Sequence, residues 1–125
     1  MADLLFEPEV YAIQGAIFEV NREMGAGFLE AVYRKCPERE FERRGIPFEV
    51  HKQLSLSYKG EALNLAYQAD IVCYDKIIIE LKACDEISGA HRAQILNYLK
   101  VTGFRLGLLV NFGAHPKAQI ERFIL

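Results

Sequence analysis

Three consecutive isoleucines, Ile77, Ile78 and Ile79, are followed at once by Glu80, Leu81 and Lys82. A run of β-branched aliphatic residues without alternation reads as a strand covered on both faces. Such a strand would have a covering layer on each face. The charges that follow are the anomaly. Burying Glu80 or Lys82 beside the isoleucines is costly unless each is paired or ligated. Either that end of the strand meets water, or the charges have a chemical task.

The rest of the chain supplies the layers. Val10, Ile13, Ile17, Val20 and Met24 recur at steps of three and four behind Pro8 and predict a helix ended by Gly25 and Gly27. A second helix is expected from about Leu29 to Arg44, closed by Gly45 and kinked or split by Pro37. Phe48, Val50, Leu54, Leu56 and Tyr58 alternate with polar residues, which predicts a strand with one wet face up to a turn at Lys59-Gly60. Strands over about 63–74 and 77–83 follow, joined near Asp75-Lys76. A helix is then expected over about 89–101, with Ser88 as its N-cap and Gly103 past its end. "RLGLLVNF" reads as an apolar strand and "QIERFIL" as a last, edge strand. The order is helix, helix, three strands, helix, two strands. A strand-helix-strand crossover calls for a parallel pair. The expected fold is α/β, a mixed β-sheet with flanking helices, in one domain over residues 1–125.

Composition narrows the partners. The 125 residues carry 15 Lys and Arg against 17 Asp and Glu, a net charge of −2, with no basic block. Attraction to a polyanion is therefore expected to be weak overall and confined to a local groove. Cys36, Cys73 and Cys84 are far apart, as are His51, His91 and His115. That spacing fits core-filling thiols in a reducing compartment better than a disulfide frame or a zinc knuckle. No charged-then-apolar leader opens the sequence, and no apolar run approaches the roughly twenty residues that span a bilayer. The expected location is the cytoplasm, away from any membrane.

Glu80 and Lys82 are two apart on a strand and share one face. A solvated stripe would account for that pair alone. Asp70, ten residues before Glu80 on the neighbouring strand, adds a second carboxylate that a hairpin can bring alongside. Two carboxylates and an amine suit a hard divalent cation, Mg²⁺ or Mn²⁺, with the lysine holding water or stabilising charge that grows on a phosphate. The hairpin register decides whether this happens. A two-residue loop at Asp75-Lys76 would pair Tyr74 with Ile77 and send the two carboxylates to opposite faces. A three-residue connection through Tyr74, Asp75 and Lys76, or a bulge, pairs Cys73 with Ile77 and sets Asp70 opposite Glu80. The second arrangement is the expected one, with Lys82 on the face that also meets Gln94.

Asp70 followed by Glu80-Leu81-Lys82 resembles the signature of the PD-(D/E)XK nuclease superfamily, whose restriction-endonuclease-like core has the same order of elements. Ala69 stands where that signature's name has proline. "GFLEAVY", with Gly27, Glu30 and Tyr33, resembles the motif of the GxxExxY family, a small single-domain branch, and "AQILNYLK" and "LGLLVNFG" are similar to its later segments. The spacing of Gln94 and Tyr98 resembles the Gln-x-x-x-Tyr motif of RecB-like and lambda-exonuclease-like nucleases. The resemblance implies a Mg²⁺- or Mn²⁺-dependent nuclease acting on nucleic acid, DNA more than RNA, with a slant toward ends or single strands. On this reading Asp70, Glu80 and the Leu81 carbonyl hold the metal, Lys82 positions the attacking water or stabilises the transition state, and Gln94 and Glu30 orient them. Tyr98, Tyr33 and His91 would line the substrate cleft.

Read without the resemblance, the same residues have plainer roles. Glu30 complements a helix dipole, Gln94 and Tyr98 form the solvent face of a helix, His91 is a structural residue of a first turn, and Asn111 forms a turn. The acidic balance and small body leave a second expectation. In it the fold is a catalytically silent binding or scaffold module that acts with a protein partner or a second copy.

Overall fold

The structure, a computed structural model, describes residues 4–125. Two helices come first, α1 (Glu7–Met24) and α2 (Glu30–Arg44), followed by strands β1 (Phe48–Tyr58), β2 (Glu61–Cys73) and β3 (Ile77–Lys82). Helix α3 (Gly89–Thr102) and strands β4 (Leu106–Asn111) and β5 (Gln119–Ile124) complete the chain. The five strands form one sheet in the order β1-β2-β3-β4-β5. Every neighbouring pair is antiparallel except β3 and β4, which α3 connects as a parallel crossover. This is the mixed sheet with flanking helices expected from the order of elements, and it is consistent with the restriction-endonuclease-like core that the resemblance implies.

The isoleucine run sorts by parity, as a two-faced strand must. Ile77, Ile79 and Leu81 join the core beneath α1 and α2, with Val10, Ile13, Ile17 and Tyr33. Ile78 points the other way, into a cluster with Leu99 of α3. Glu80 and Lys82 follow the parity of Ile78 and belong to the α3 face.

Two expectations need correction. Pro37 does not split α2, which runs unbroken from Glu30 to Arg44. Tyr33, Pro37 and Phe41, spaced four apart, form its buried stripe, so the proline ring packs into the core and offsets the missing backbone donor. In β1 the expected apolar face is not continuous: Leu54 is buried, Phe48 and Leu56 are half-buried, and Val50 and Tyr58 are exposed.

The reason for the second lies at His51 and Asp70. Odd-numbered Tyr67 and Ala69 share a cluster with even-numbered Val72, while Ile71 and Cys73 pack on the other face. The alternation of β2 therefore reverses at Asp70. Opposite it in β1, His51 has the left-handed φ of 52°, between the pairs Val50–Ile71 and Lys52–Ala69. Beyond this break β1 and β2 continue as a two-stranded ribbon, because β3 pairs with β2 only from Ile71 to Cys73.

Candidate active site

The β2–β3 connection places the carboxylates. Cys73 pairs with Ile77 and Lys76 N–H donates to the Cys73 carbonyl at 3.1 Å, across a three-residue loop in which Tyr74 and Asp75 both take left-handed φ values. The register runs through Val72–Ile78 to Ile71–Ile79, so the next opposed pair is Asp70 and Glu80. There the strand ladder gives way to side chains. The Asp70 N–H donates to Glu80 Oε2 at 3.0 Å, and the Leu81 N–H donates to Asp70 Oδ2 at 2.9 Å. Each carboxylate spends one oxygen on the opposite strand.

Burial and then the neighbouring Asp70 charge push the Glu80 carboxyl up to about 7, and hydrogen bonds from the Asp70 N–H and the Tyr67 hydroxyl, with the Lys82 charge last, pull it only part of the way back. The Tyr67 hydroxyl is buried beside Glu80, and that carboxylate is the acceptor nearest to hand for its proton. Its own proton is held more tightly than usual, by burial first and by the Glu80 and Asp70 charges second. Two crowded carboxylates, one driven toward neutrality, are a hard-oxygen donor set whose repulsion a divalent cation would relieve. The residues fit such an ion. Among the described residues no group of three His, Cys, Asp or Glu side chains converges, so any further ligand comes from backbone, as the Leu81 carbonyl could supply, or from water.

The other expected residues divide. Glu30, the first residue of α2, binds Arg34 Nη2 at 2.9 Å, and the same guanidinium nitrogen lies 3.6 Å from Asp70 Oδ1. Glu30 thus reaches the carboxylate pair through an arginine. Gln94 is exposed and donates to the Tyr98 hydroxyl at 3.2 Å. Tyr98 in turn stacks on Tyr67, ring centroids 3.5 Å apart and nearly parallel at 11°, so Gln94 connects to Glu80 only through two tyrosines. His91 forms a capping box: its N–H donates to Ser88 Oγ and its Nδ1 accepts from the Ser88 N–H, both at 3.1 Å. That leaves Nε2 alone for any other contact.

Tyr33 does not line a cleft. It is fully buried, stacks on Phe112 at 4.6 Å, donates to the Gly25 carbonyl and accepts from the Phe28 N–H, so it ties the α1–α2 connection to the core. Asn111 does more than end a strand. Fully buried, its Oδ1 accepts from the Cys84 and Gly113 N–H groups at 3.0 Å and its Nδ2 donates to the Cys84 carbonyl at 2.8 Å. With the Phe112 N–H on the Lys82 carbonyl at 2.9 Å, this clamp fixes the chain just past Lys82. The approach is so close that a Cβ on Gly113 would stand 2.2 Å from the Cys84 carbonyl oxygen.

Sequence reasoning missed Arg34 and Tyr67. The only local signals were the four-residue step from Glu30 to Arg34 and the three-residue step from Tyr67 to Asp70, neither of which specifies a site.

No curated protein matches the chain. Its structure is similar to the crystal structure of SSO0001, with a TM-score of 0.56 at 19% identity, over 76% of this chain and 50% of that one. The chain thus spans half the length of that neighbour, and at this identity the likeness shows a shared fold alone. The family model of the PD-(D/E)XK nuclease superfamily matches residues 7–123. With a match over nearly its whole length, the chain belongs to the PD-(D/E)XK nuclease superfamily.

Proposed function

We propose that this chain is a divalent-metal-dependent nuclease of the GxxExxY branch, a single domain that hydrolyses phosphodiester bonds in nucleic acid, with DNA as the favoured substrate. The observation that carries the reading is the opposed pair Asp70 and Glu80, crossed onto each other's strands at the point where the ladder opens, with Lys82 two residues further on the same face as Glu80. Asp70, Glu80 and the Leu81 carbonyl would hold Mg²⁺ or Mn²⁺. When bound, the cation supplies positive charge to the phosphate and acidifies water. Lys82 orients the attacking water and stabilises charge on the phosphate oxygens during in-line displacement. Tyr67, stacked on Tyr98 and seated beside Glu80, keeps that carboxylate in place and bulk water out. Gln94 holds the Tyr98 hydroxyl and so supports this wall from α3. The free thiols Cys36, Cys73 and Cys84 suit a cytoplasmic setting.

The test is incubation of the purified chain with labelled single- and double-stranded DNA and RNA, with Mn²⁺ and with a chelator. Cleavage that needs the metal and is lost in Asp70→Asn and Lys82→Ala supports the reading. Metal binding without cleavage of any substrate would turn it to the silent scaffold.

A further inference from the structure

Arg34 is the one cation within 4 Å of Asp70 among the described residues. It is held at 2.9 Å by Glu30, and its side chain is 44% exposed while that of Asp70 is 15% exposed. One end of the pair is therefore fixed at a half-buried carboxylate and the other faces water. Glu30 begins α2 and Arg34 stands one turn later, so the helix presents both toward the open end of β2 and β3. Asp70 Oδ2 is committed to the Leu81 N–H, which leaves Oδ1, the oxygen facing Arg34, as the free one. A cation that ligates Asp70 through its free oxygen must therefore meet the Arg34 charge.

Resting on the nuclease reading above, we propose that Arg34 is the phosphate-binding residue of this site. It stands 3.6 Å from Asp70 Oδ1 and exchanges that carboxylate for a nucleic-acid phosphate when the carboxylates take up metal, with Glu30 acting through Arg34 and not as a ligand. A planar guanidinium with several donors suits both positions, since it pairs equally with a carboxylate and with a phosphate. Glu30 keeps the guanidinium within reach of either. The exposed side of Arg34 gives a substrate phosphate an open approach, in a protein whose net charge offers little attraction elsewhere.

Two measurements on each variant test this, with thermal melting as a check of folding: Mn²⁺ affinity by calorimetry, and affinity for a single-stranded DNA oligonucleotide with Ca²⁺ in place of Mn²⁺. In Arg34→Gln, Mn²⁺ should bind about five- to tenfold more tightly because a competing charge is gone. DNA should bind about tenfold more weakly, with a salt slope lower by about one. Arg34→Lys should return Mn²⁺ affinity to the wild-type value and recover only part of the DNA affinity. Glu30→Gln should weaken Mn²⁺ binding in the wild-type background, where it leaves Arg34 to Asp70 alone, and change nothing in the Arg34→Gln background. If Glu30→Gln weakens Mn²⁺ binding equally in both backgrounds, Glu30 is a ligand and its assignment here is wrong. If Arg34→Gln leaves both affinities unchanged, Arg34 is a surface ion pair and the proposal fails while the nuclease reading stands. A wild-type chain that binds Mn²⁺ but no nucleic acid removes the phosphate role. One that binds no Mn²⁺ removes the nuclease reading itself.

Discussion

Burial and the Asp70 charge hold the Glu80 carboxyl near 7, whereas in an unfolded chain a glutamate titrates at about 4.3. Between those values the folded protein binds more protons than the unfolded one. Its metal-free stability therefore falls as pH rises through that window. Glu80→Gln imitates the protonated side chain and retains an acceptor for the Asp70 N–H. In a chelator at pH 8 this variant should exceed the wild type in stability by on the order of 2 kcal/mol, and the gap should close by pH 4. Melting curves at the two pH values read it, and a variant less stable than wild type at pH 8 would mean that the ionised carboxylate stabilises the fold. The placement of Asp70 opposite Glu80, with Lys82 on the same face as Glu80, could be read from sequence because strand parity and loop length relate residues across one hairpin. Arg34 and Tyr67 could not, because each meets the carboxylates from another element or past a reversal of parity. Tyr33 was misread for a similar reason: its place beside Glu30 in the motif says nothing about which face of α2 turns inward.

Among the elements, the alternation and helical periods of the sequence located all eight, even β5, which has no fully buried residue. The departures occur where two principles compete. At Pro37 core burial outweighs the lost donor, and at His51–Asp70 a local reversal of the strand outweighs alternation. The β1–β2 turn is a two-residue loop, closed by the Tyr58–Glu61 pair, in which Lys59 and Gly60 both take left-handed φ values of 50° and 80°. A lysine is poorly suited to that conformation, and asparagine adopts it readily. Lys59→Asn should raise the melting temperature by about 2 °C. Gly113→Ala should do the reverse on a larger scale, costing about 3 kcal/mol or more, because the methyl group meets backbone that cannot step aside. Since the Asn111 clamp fixes the chain after Lys82, any soluble Gly113→Ala protein should also lose cleavage.

For the molecule as a whole, a metal that binds the folded state and not the unfolded one must raise the melting temperature. The gain should be about 2.7 kcal/mol at a hundredfold excess over the dissociation constant. Mn²⁺ should produce this shift in the wild type and not in Asp70→Asn, as a thermal-shift titration will show. No helix among the described residues is long and apolar enough to cross a membrane. Hydrogen exchange should divide the sheet: amides of β3 and β4, central and buried, should exchange slowest, and those of the β1–β2 ribbon beyond Asp70 fastest. That division gives the site the mechanics of a vice. Glu80 and Lys82 form the fixed jaw, bolted to β4 by the Asn111 clamp. Asp70 is the opposite jaw, at the root of a ribbon that has no β3 neighbour along most of its length, and is tied to β3 by its own N–H on Glu80 and by the Leu81 N–H on its Oδ2. Those two bonds set how far the jaws can part, so ions too large for the gap would have to break them.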